Sequence, residues 1–203
     1  MRVINSFDTI QGEGRHVGLP VHLIRLFGCN LNCSYCDSTF AIANCYTEIC
    51  SLDLFEQIKG TKAQAILWTG GEPTIQLEEI FEFMSICGSR YEHHIETNCT
   101  NLDPRLSHFN YISFSPKNIN VLRKVRAFAV RKLLALDIPK YDIKVVTDLR
   151  DVGMDMIEEA TMLMPLTTFN KAKDLEIKKR VWDYCSTHGI RYSPRAHIDA
   201  GCE

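Results

Sequence analysis

No stretch of this sequence is apolar for long enough to cross a membrane; its longest hydrophobic runs have only the length of strands. An excess of charge of one sign is also missing. With 23 Lys and Arg against 25 Asp and Glu, the formal net charge is -2, which argues against direct nucleic-acid binding on a surface of bulk positive charge. Segment 1–14 lacks the apolar core of a secretory signal, so a cytoplasmic location is expected. No internal repeat or long low-complexity tract interrupts the chain. Its 203 residues, 45% of them hydrophobic, suffice for one domain over 1–203 with a sizeable core.

Cysteine, by contrast, is plentiful. Nine are present, an odd number, and without an export signal they do not read as a disulfide scaffold. Cys29, Cys33 and Cys36 form a tight C-x3-C-x2-C run directly after the apolar stretch 21–28. Three thiolates can hold three corners of a four-iron, four-sulfur cluster and leave one iron open to a small molecule. Structural zinc is the rival reading, but it wants a fourth Cys or His, for which Cys45 is the nearby candidate, and the spacing is not that of the usual zinc pairs. Spacing favours the iron–sulfur cluster over zinc, and zinc over ordinary thiols. Cys45 and Cys50 are weighed as extra ligands and set aside.

Short runs rich in Val, Ile and aromatics predict strands at 21–28, 63–69, 92–97, 111–115, 141–147, 162–166 and 190–193. Amphipathic segments between them predict helices at 51–59, 76–87, 121–134, 151–160 and 171–188. In the last, Leu175, Ile177, Val181, Trp182 and Cys185 are expected to share one buried side. Such alternation implies parallel strands joined by outer helices. Seven strands are too few for a closed eight-unit barrel of ~250 residues. The expected fold is therefore α/β, a partial, open TIM-like barrel. Its site should lie at the carboxyl ends of the strands, where Gly28, Thr69-Gly70-Gly71, Glu96-Thr97-Asn98 and Ser115-Pro116-Lys117 fall. The 37–50 loop is expected to be irregular.

Several side chains are out of place for a core. Arg25 in an apolar strand calls for an anion, either a carboxylate ligand or a structural partner. Gln11 and Glu13, in a Gly-rich turn over 7–14, offer donors and acceptors either to a ligand or to the turn itself. Adjacent His93 and His94 on a strand face opposite ways and read as structural. Met154, Met156, Met162 and Met164 read as core packing.

The cysteine run Cys29-Asn-Leu-Asn-Cys33-Ser-Tyr-Cys36 resembles the signature of radical S-adenosylmethionine enzymes, and Trp68-Thr69-Gly70-Gly71-Glu72-Pro73 resembles their glycine-glycine-glutamate element. The elements Phe7-Asp-Thr-Ile-Gln11-Gly-Glu13-Gly14, Arg25-Leu-Phe-Gly-Cys29, Phe114-Ser-Pro-Lys117 and Ser193-Pro-Arg195-Ala-His197 narrow this to the 7-carboxy-7-deazaguanine synthase family. The resemblance implies ring contraction of 6-carboxy-5,6,7,8-tetrahydropterin with loss of ammonia, begun by hydrogen abstraction from C6. It implies a 4Fe-4S cluster on Cys29, Cys33 and Cys36, S-adenosyl-L-methionine on Thr69, Gly70, Gly71, Glu72, Glu96, Ser115 and Lys117, and Mg2+ at Ser38, with Asp37 a weaker second contact. Substrate contacts are implied for Gln11, Gly12, Glu13, Gly14, Arg25, Thr69, Asn98 and His197; Glu13 and His197 are the candidate general bases. Arg195 is read as holding local structure or charge balance. A flavodoxin- or ferredoxin-like electron donor and a homodimer are implied too. The cluster loop spans 29–38, and the C-terminal part of the substrate site spans 190–203. The region after Cys36 lacks the family's common tryptophan, and the sequence stops soon after His197. Two other readings are carried: an activase that makes a glycyl radical on a partner protein, and a metal-stabilised binding module without enzyme activity.

Overall fold

The computed structural model describes residues 1–38, 45–132 and 141–202. Its strands are β1 (Arg2–Ile10), β2 (Pro20–Leu26), β3 (Thr47–Glu48), β4 (Ala65–Gly70), β5 (Glu92–Thr97), β6 (Tyr111–Phe114), β7 (Tyr141–Thr147), β8 (Met162–Pro165) and β9 (Arg191–Tyr192). The helices are α1 (Ser51–Ile58), α2 (Leu77–Cys87), α3 (Ile119–Lys132), α4 (Lys171–His188) and the short α5 (Ala196–Asp199). Among the described residues the strands form one nine-stranded sheet in the order β3-β1-β2-β4-β5-β6-β7-β8-β9. From β2 to β9 every neighbouring pair is parallel, whereas β1 runs antiparallel to both β2 and β3. The two edges do not pair, so the α/β barrel is open, as its sequence implies.

The two faces of the sheet have opposite chemistry because side chains alternate along a strand. Ile24, Leu26, Ile66, Trp68, Ile95, Ile112, Phe114, Ile143 and Val145 point to the helices and build the main core. Leu54 and Ile58 of α1, Ile80 and Phe83 of α2, Leu122 and Val125 of α3, and Ile177 and Val181 of α4 complete it. Each large side chain buried this way contributes ~1.5–3 kcal/mol. The intervening positions face inward. Val21, Ala65 and Leu67, with Leu19 and Leu23, make a small second apolar cluster, and beyond it the inward positions turn polar.

Four expectations need correction. Residues 2–10 form a strand that was not expected, because Asn5, Ser6 and Asp8 break the apolar alternation; the backbone pairing with β2 supplies what the side chains do not advertise. The 7–14 segment is thus strand to Ile10, with a short 3-10 turn at Gly14–His16. The 151–160 helix is only a 3-10 turn, Met154–Glu159, entered through left-handed Gly153 (φ 72°) after Asp148 has taken three backbone N–H groups. In α4 the buried stripe is Ile177, Val181 and Cys185, spaced by four; Leu175 and Trp182 lie 70% and 60% exposed. Of the methionines, Met156, Met162 and Met164 are buried, whereas Met154 is exposed. Within 37–50, Thr47–Glu48 forms an edge strand and 39–44 lie outside the described residues, as do 133–134 of the helix expected over 121–134.

Candidate active site

The carboxyl ends of β2, β4, β5, β6 and β7 open onto one cavity of about 230 Å³. Its floor is apolar, with Leu23, Leu67 and Met164, and its walls carry the charged and polar groups. Three loops meet there because two glycines let them. Gly70 has φ 117°, and a Cβ on it would stand 2.4 Å from the Leu26 carbonyl oxygen; on Gly71 it would stand 1.9 Å from that of Gly28. No side chain fits either place, so backbone meets backbone and the Glu72 N–H donates to the Gly28 carbonyl (2.8 Å).

Glu72 itself turns away. Its carboxylate accepts from the Thr74 N–H (3.0 Å) and hydroxyl (2.6 Å), the Thr97 hydroxyl (2.7 Å) and the Asn98 N–H (2.6 Å). It is fully buried, lies outside the cavity lining and braces the β4 and β5 exits. Gly14 is likewise outside the lining; its N–H donates to the Ser193 hydroxyl (2.8 Å). The other expected site residues all line the cavity.

Cys29, Cys33 and Cys36 are free thiols facing this cavity. Burial pushes the Cys33 thiol up, Lys117 draws it down, and the other two thiols raise it further. Among the described residues no three Cys, His, Asp or Glu side chains converge on one point as a single ion would require; a four-iron cube instead takes its thiolates at separate corners. Neither Cys45 nor Cys50 reaches the cavity. Three thiols beside the polar ends of these five strands fit a cluster with one open iron. Asn98 reaches Cys29 Sγ at 3.8 Å and Asn30 Oδ1 at 3.0 Å, tying the β5 exit to the cysteine loop. The Lys117 ammonium donates to the Ser115 hydroxyl (3.0 Å), and burial lowers its affinity for a proton.

The same cavity is lined by a charge network that runs from Lys144 to Asp37, next to Cys36. One Glu13 oxygen accepts from Lys144 Nζ (2.6 Å), the other from Arg195 Nε (2.9 Å). Lys144 also reaches Glu96 Oε1 at 3.5 Å, where Gln11 donates at the same distance, and Thr69 touches the other Glu96 oxygen at 3.5 Å. Arg195 continues to Thr167 (2.9 Å) and to Asp37, whose Oδ1 accepts from the Ser38 hydroxyl (3.0 Å). Its sequence reading as a holder of charge balance agrees with this. Arg25 lies beside Asn5 (3.3 Å) and over the Phe7 ring, on the cavity wall.

The network separates the two acid–base candidates. Burial alone would raise the Glu13 carboxyl, but Lys144 and Arg195 outweigh it and hold the group far below the ordinary carboxylate range. Such a carboxylate accepts hydrogen bonds well and holds a proton poorly. Burial lowers His197, so its imidazole stays neutral near pH 7 and can accept a proton. A Cβ on Gly12 would meet His197 Nδ1 at 2.2 Å, so the ring lies directly on the backbone of the Gln11–Glu13 loop.

Sequence reasoning missed Lys144, which burial disfavours and which Glu13 and Glu96 nonetheless keep firmly charged. The signal was present: in Tyr-Asp-Ile-Lys-Val-Val-Thr (141–147), Asp142 and Lys144 are charges in an apolar strand, the same anomaly that marks Arg25. Met164, read as core, also lines the cavity.

The family model of the radical SAM superfamily matches residues 23–176. The chain is 31% identical to the 7-carboxy-7-deazaguanine synthase of Aquifex aeolicus, over 94% of this chain and 89% of that protein. It is 30% identical to the 7-carboxy-7-deazaguanine synthase of Clostridium acetobutylicum, over 98% and 86%. Among solved structures, QueE from Escherichia coli superposes with a TM-score of 0.59 at 19% identity, covering 97% of this chain and 94% of that one, a likeness of fold. The match carries with it a 4Fe-4S cluster and S-adenosyl-L-methionine as cofactors and a lyase activity of the synthase type. With three thiols, a glycine pair and a walled polar cavity at the strand ends, the chain belongs to the 7-carboxy-7-deazaguanine synthase family of radical SAM enzymes.

Proposed function

We propose that this protein contracts the ring of 6-carboxy-5,6,7,8-tetrahydropterin to 7-carboxy-7-deazaguanine with release of ammonia. The observation that carries the reading is Glu13. An ionised carboxylate, braced by Lys144 and Arg195 and set in a cavity wall next to Gln11, is an acceptor for the N–H edge of a pterin. In this reading Arg25 takes the substrate carboxylate, its planar fork matching two oxygens. Gln11, Gly12, Thr69, Asn98 and His197 complete the substrate wall, and His197, not Glu13, is the group to hold a proton.

Cys29, Cys33 and Cys36 hold the cluster in this assignment, and the exposed peptide groups of Gly70 and Gly71 with Thr69, Glu96, Ser115 and Lys117 hold S-adenosyl-L-methionine. Bound together, these two cofactors supply a one-electron bond cleavage that starts the radical chemistry. The chain's own work is placement: a misfit of about 1 Å at the reacting atom costs on the order of 100-fold in rate. Ser38 offers a hydroxyl oxygen for Mg2+, a cation that favours oxygen ligands, with Asp37 beside it. A single catalytic unit over 1–203 is proposed, acting as a homodimer with an external electron donor. The test is anaerobic reconstitution with iron and sulfide, followed by turnover of the carboxypterin with cofactor, Mg2+ and reductant. A product of the deazaguanine acid's mass with ammonia in equal amount is expected; a fully loaded cluster without either product sinks the assignment.

A further inference from the structure

α3 stands apart from the rest of the surface. Of its 14 residues, Arg123, Lys124, Arg126, Arg131 and Lys132 are cationic and none is acidic, in a chain whose net charge is -2. Leu122, Val125 and Ala129 fix the helix to the core. On the far side, Arg123, Ala127 and Val130 lie three, four and seven apart and are exposed, with Arg126 on one flank and Lys124 and Arg131 on the other. Val130 is 62% exposed. Among the described residues, the ion pairs formed here are two long contacts to one carboxylate, Glu159, at 3.9 Å from Arg123 and 3.6 Å from Arg126. Exposed pairs of that length contribute little and leave most of the charge available to a partner.

Position gives this face its meaning. Lys117, which lines the cavity with the three cysteines, lies two residues before the helix, and the Asn118 side chain accepts from the Val121 N–H at its first turn. Arg123 is then only ~6 Å along the helix axis from Ile119, at 1.5 Å per residue. We propose that the exposed face of α3 is the docking surface for an acidic, flavodoxin-like one-electron donor that reduces the cluster. An apolar centre at Ala127 and Val130 ringed by cations suits the rim of an acidic protein better than a phosphate backbone, for which an apolar centre has no use. The inference rests on the radical SAM assignment, since that chemistry needs an electron from outside, but not on the identity of the substrate.

The test compares two reductants on the reconstituted holoenzyme. In the triple variant Arg123→Glu, Lys124→Glu, Arg126→Glu, cluster reduction by flavodoxin hydroquinone, followed by stopped-flow bleaching of the cluster absorbance, is expected to slow at least about tenfold. Reduction by dithionite, which needs no docking, is expected to stay within about twofold of wild type. Wild-type flavodoxin binding should weaken as salt rises, because the attraction is screened within about 8 Å at physiological ionic strength. An unchanged flavodoxin rate in the triple variant overturns the proposal. So does an equal fall with both reductants, read alongside the single variant Lys124→Glu to exclude a folding defect, and so does tRNA that displaces flavodoxin at equal concentration. Because bleaching is read without pterin, failure of ring contraction and failure of docking are distinguishable.

Discussion

The two faces of one sheet do different jobs. On the outer face Ile66, Trp68, Ile95 and Phe114 are wholly buried against helices, and the Trp68 indole meets the Phe83 ring edge-on at 5.1 Å. On the inner face, one residue along each strand, Thr69, Glu96 and Lys144 carry polar groups into a cavity. The outer face is held by burial that has no preferred direction. The inner face is held by charge pairs that hold only in one geometry, and breaking one partner of such a pair is costly. Stability and chemistry are thus assigned to alternate residues of the same strands.

Substitutions on each face sharpen that division. Cys33→Ala should give the largest effect: turnover lost to background and iron content reduced, with the apo protein's melting temperature close to wild type. Retained turnover would sink the cluster assignment. Trp68→Ala, on the outer face, should cost ~4 kcal/mol, measured by urea unfolding, while the KM of the folded enzyme stays near wild type. Lys144→Met should cost roughly 3 kcal/mol by stranding the partly buried Glu13 and Glu96 charges, and should also raise KM for the proposed pterin substrate about tenfold. Lys144→Arg keeps the charge and should recover part of both. If Trp68→Ala and Lys144→Met moved KM alike, the two faces would not be separable.

Acid should then act on a buried histidine of the outer face. Burial lowers His93 to about 4, and its Nδ1 accepts from Trp68 Nε1 (3.2 Å), which needs the neutral ring. The unfolded chain takes up that proton near pH 6.5, so stability present above pH 6.5 is lost as pH falls toward 4. The loss should reach about 2 kcal/mol by pH 5, and His93→Gln should flatten that part of the stability curve. The smallest effect belongs to Trp182→Gln, within ~0.5 kcal/mol, because that ring is 60% exposed and touches Tyr192 only at an edge. A large loss there would mean that α4 packs on its other side.

The parallel strands, the cysteine triad and the glycine pair were legible because each is a local departure with a single physical meaning. Arg25 was legible as a charge in an apolar run; Lys144 obeys the same rule and was passed over. β1 was hidden because its order comes from backbone pairing with β2, not from its own polar side chains. The bracing role of Glu72 was not legible, because the direction of its side chain depends on Thr74, Thr97 and the Asn98 N–H, which the fold alone brings together. In α4 both Leu175 and Trp182 fitted a helical period, and nothing in the period says which of two neighbouring stripes meets the sheet.

The contacts of Gly12, Glu13 and Gly14 with Ala196, Arg195 and Ser193 join the two ends of the chain, the last two pairs across 182 and 179 residues. A ribosome releases the first of these partners long before the second. The part of the cavity wall that Arg195 and His197 supply therefore waits, unfinished, until translation has passed residue 197, and a nascent chain cannot handle a radical before it can shelter one.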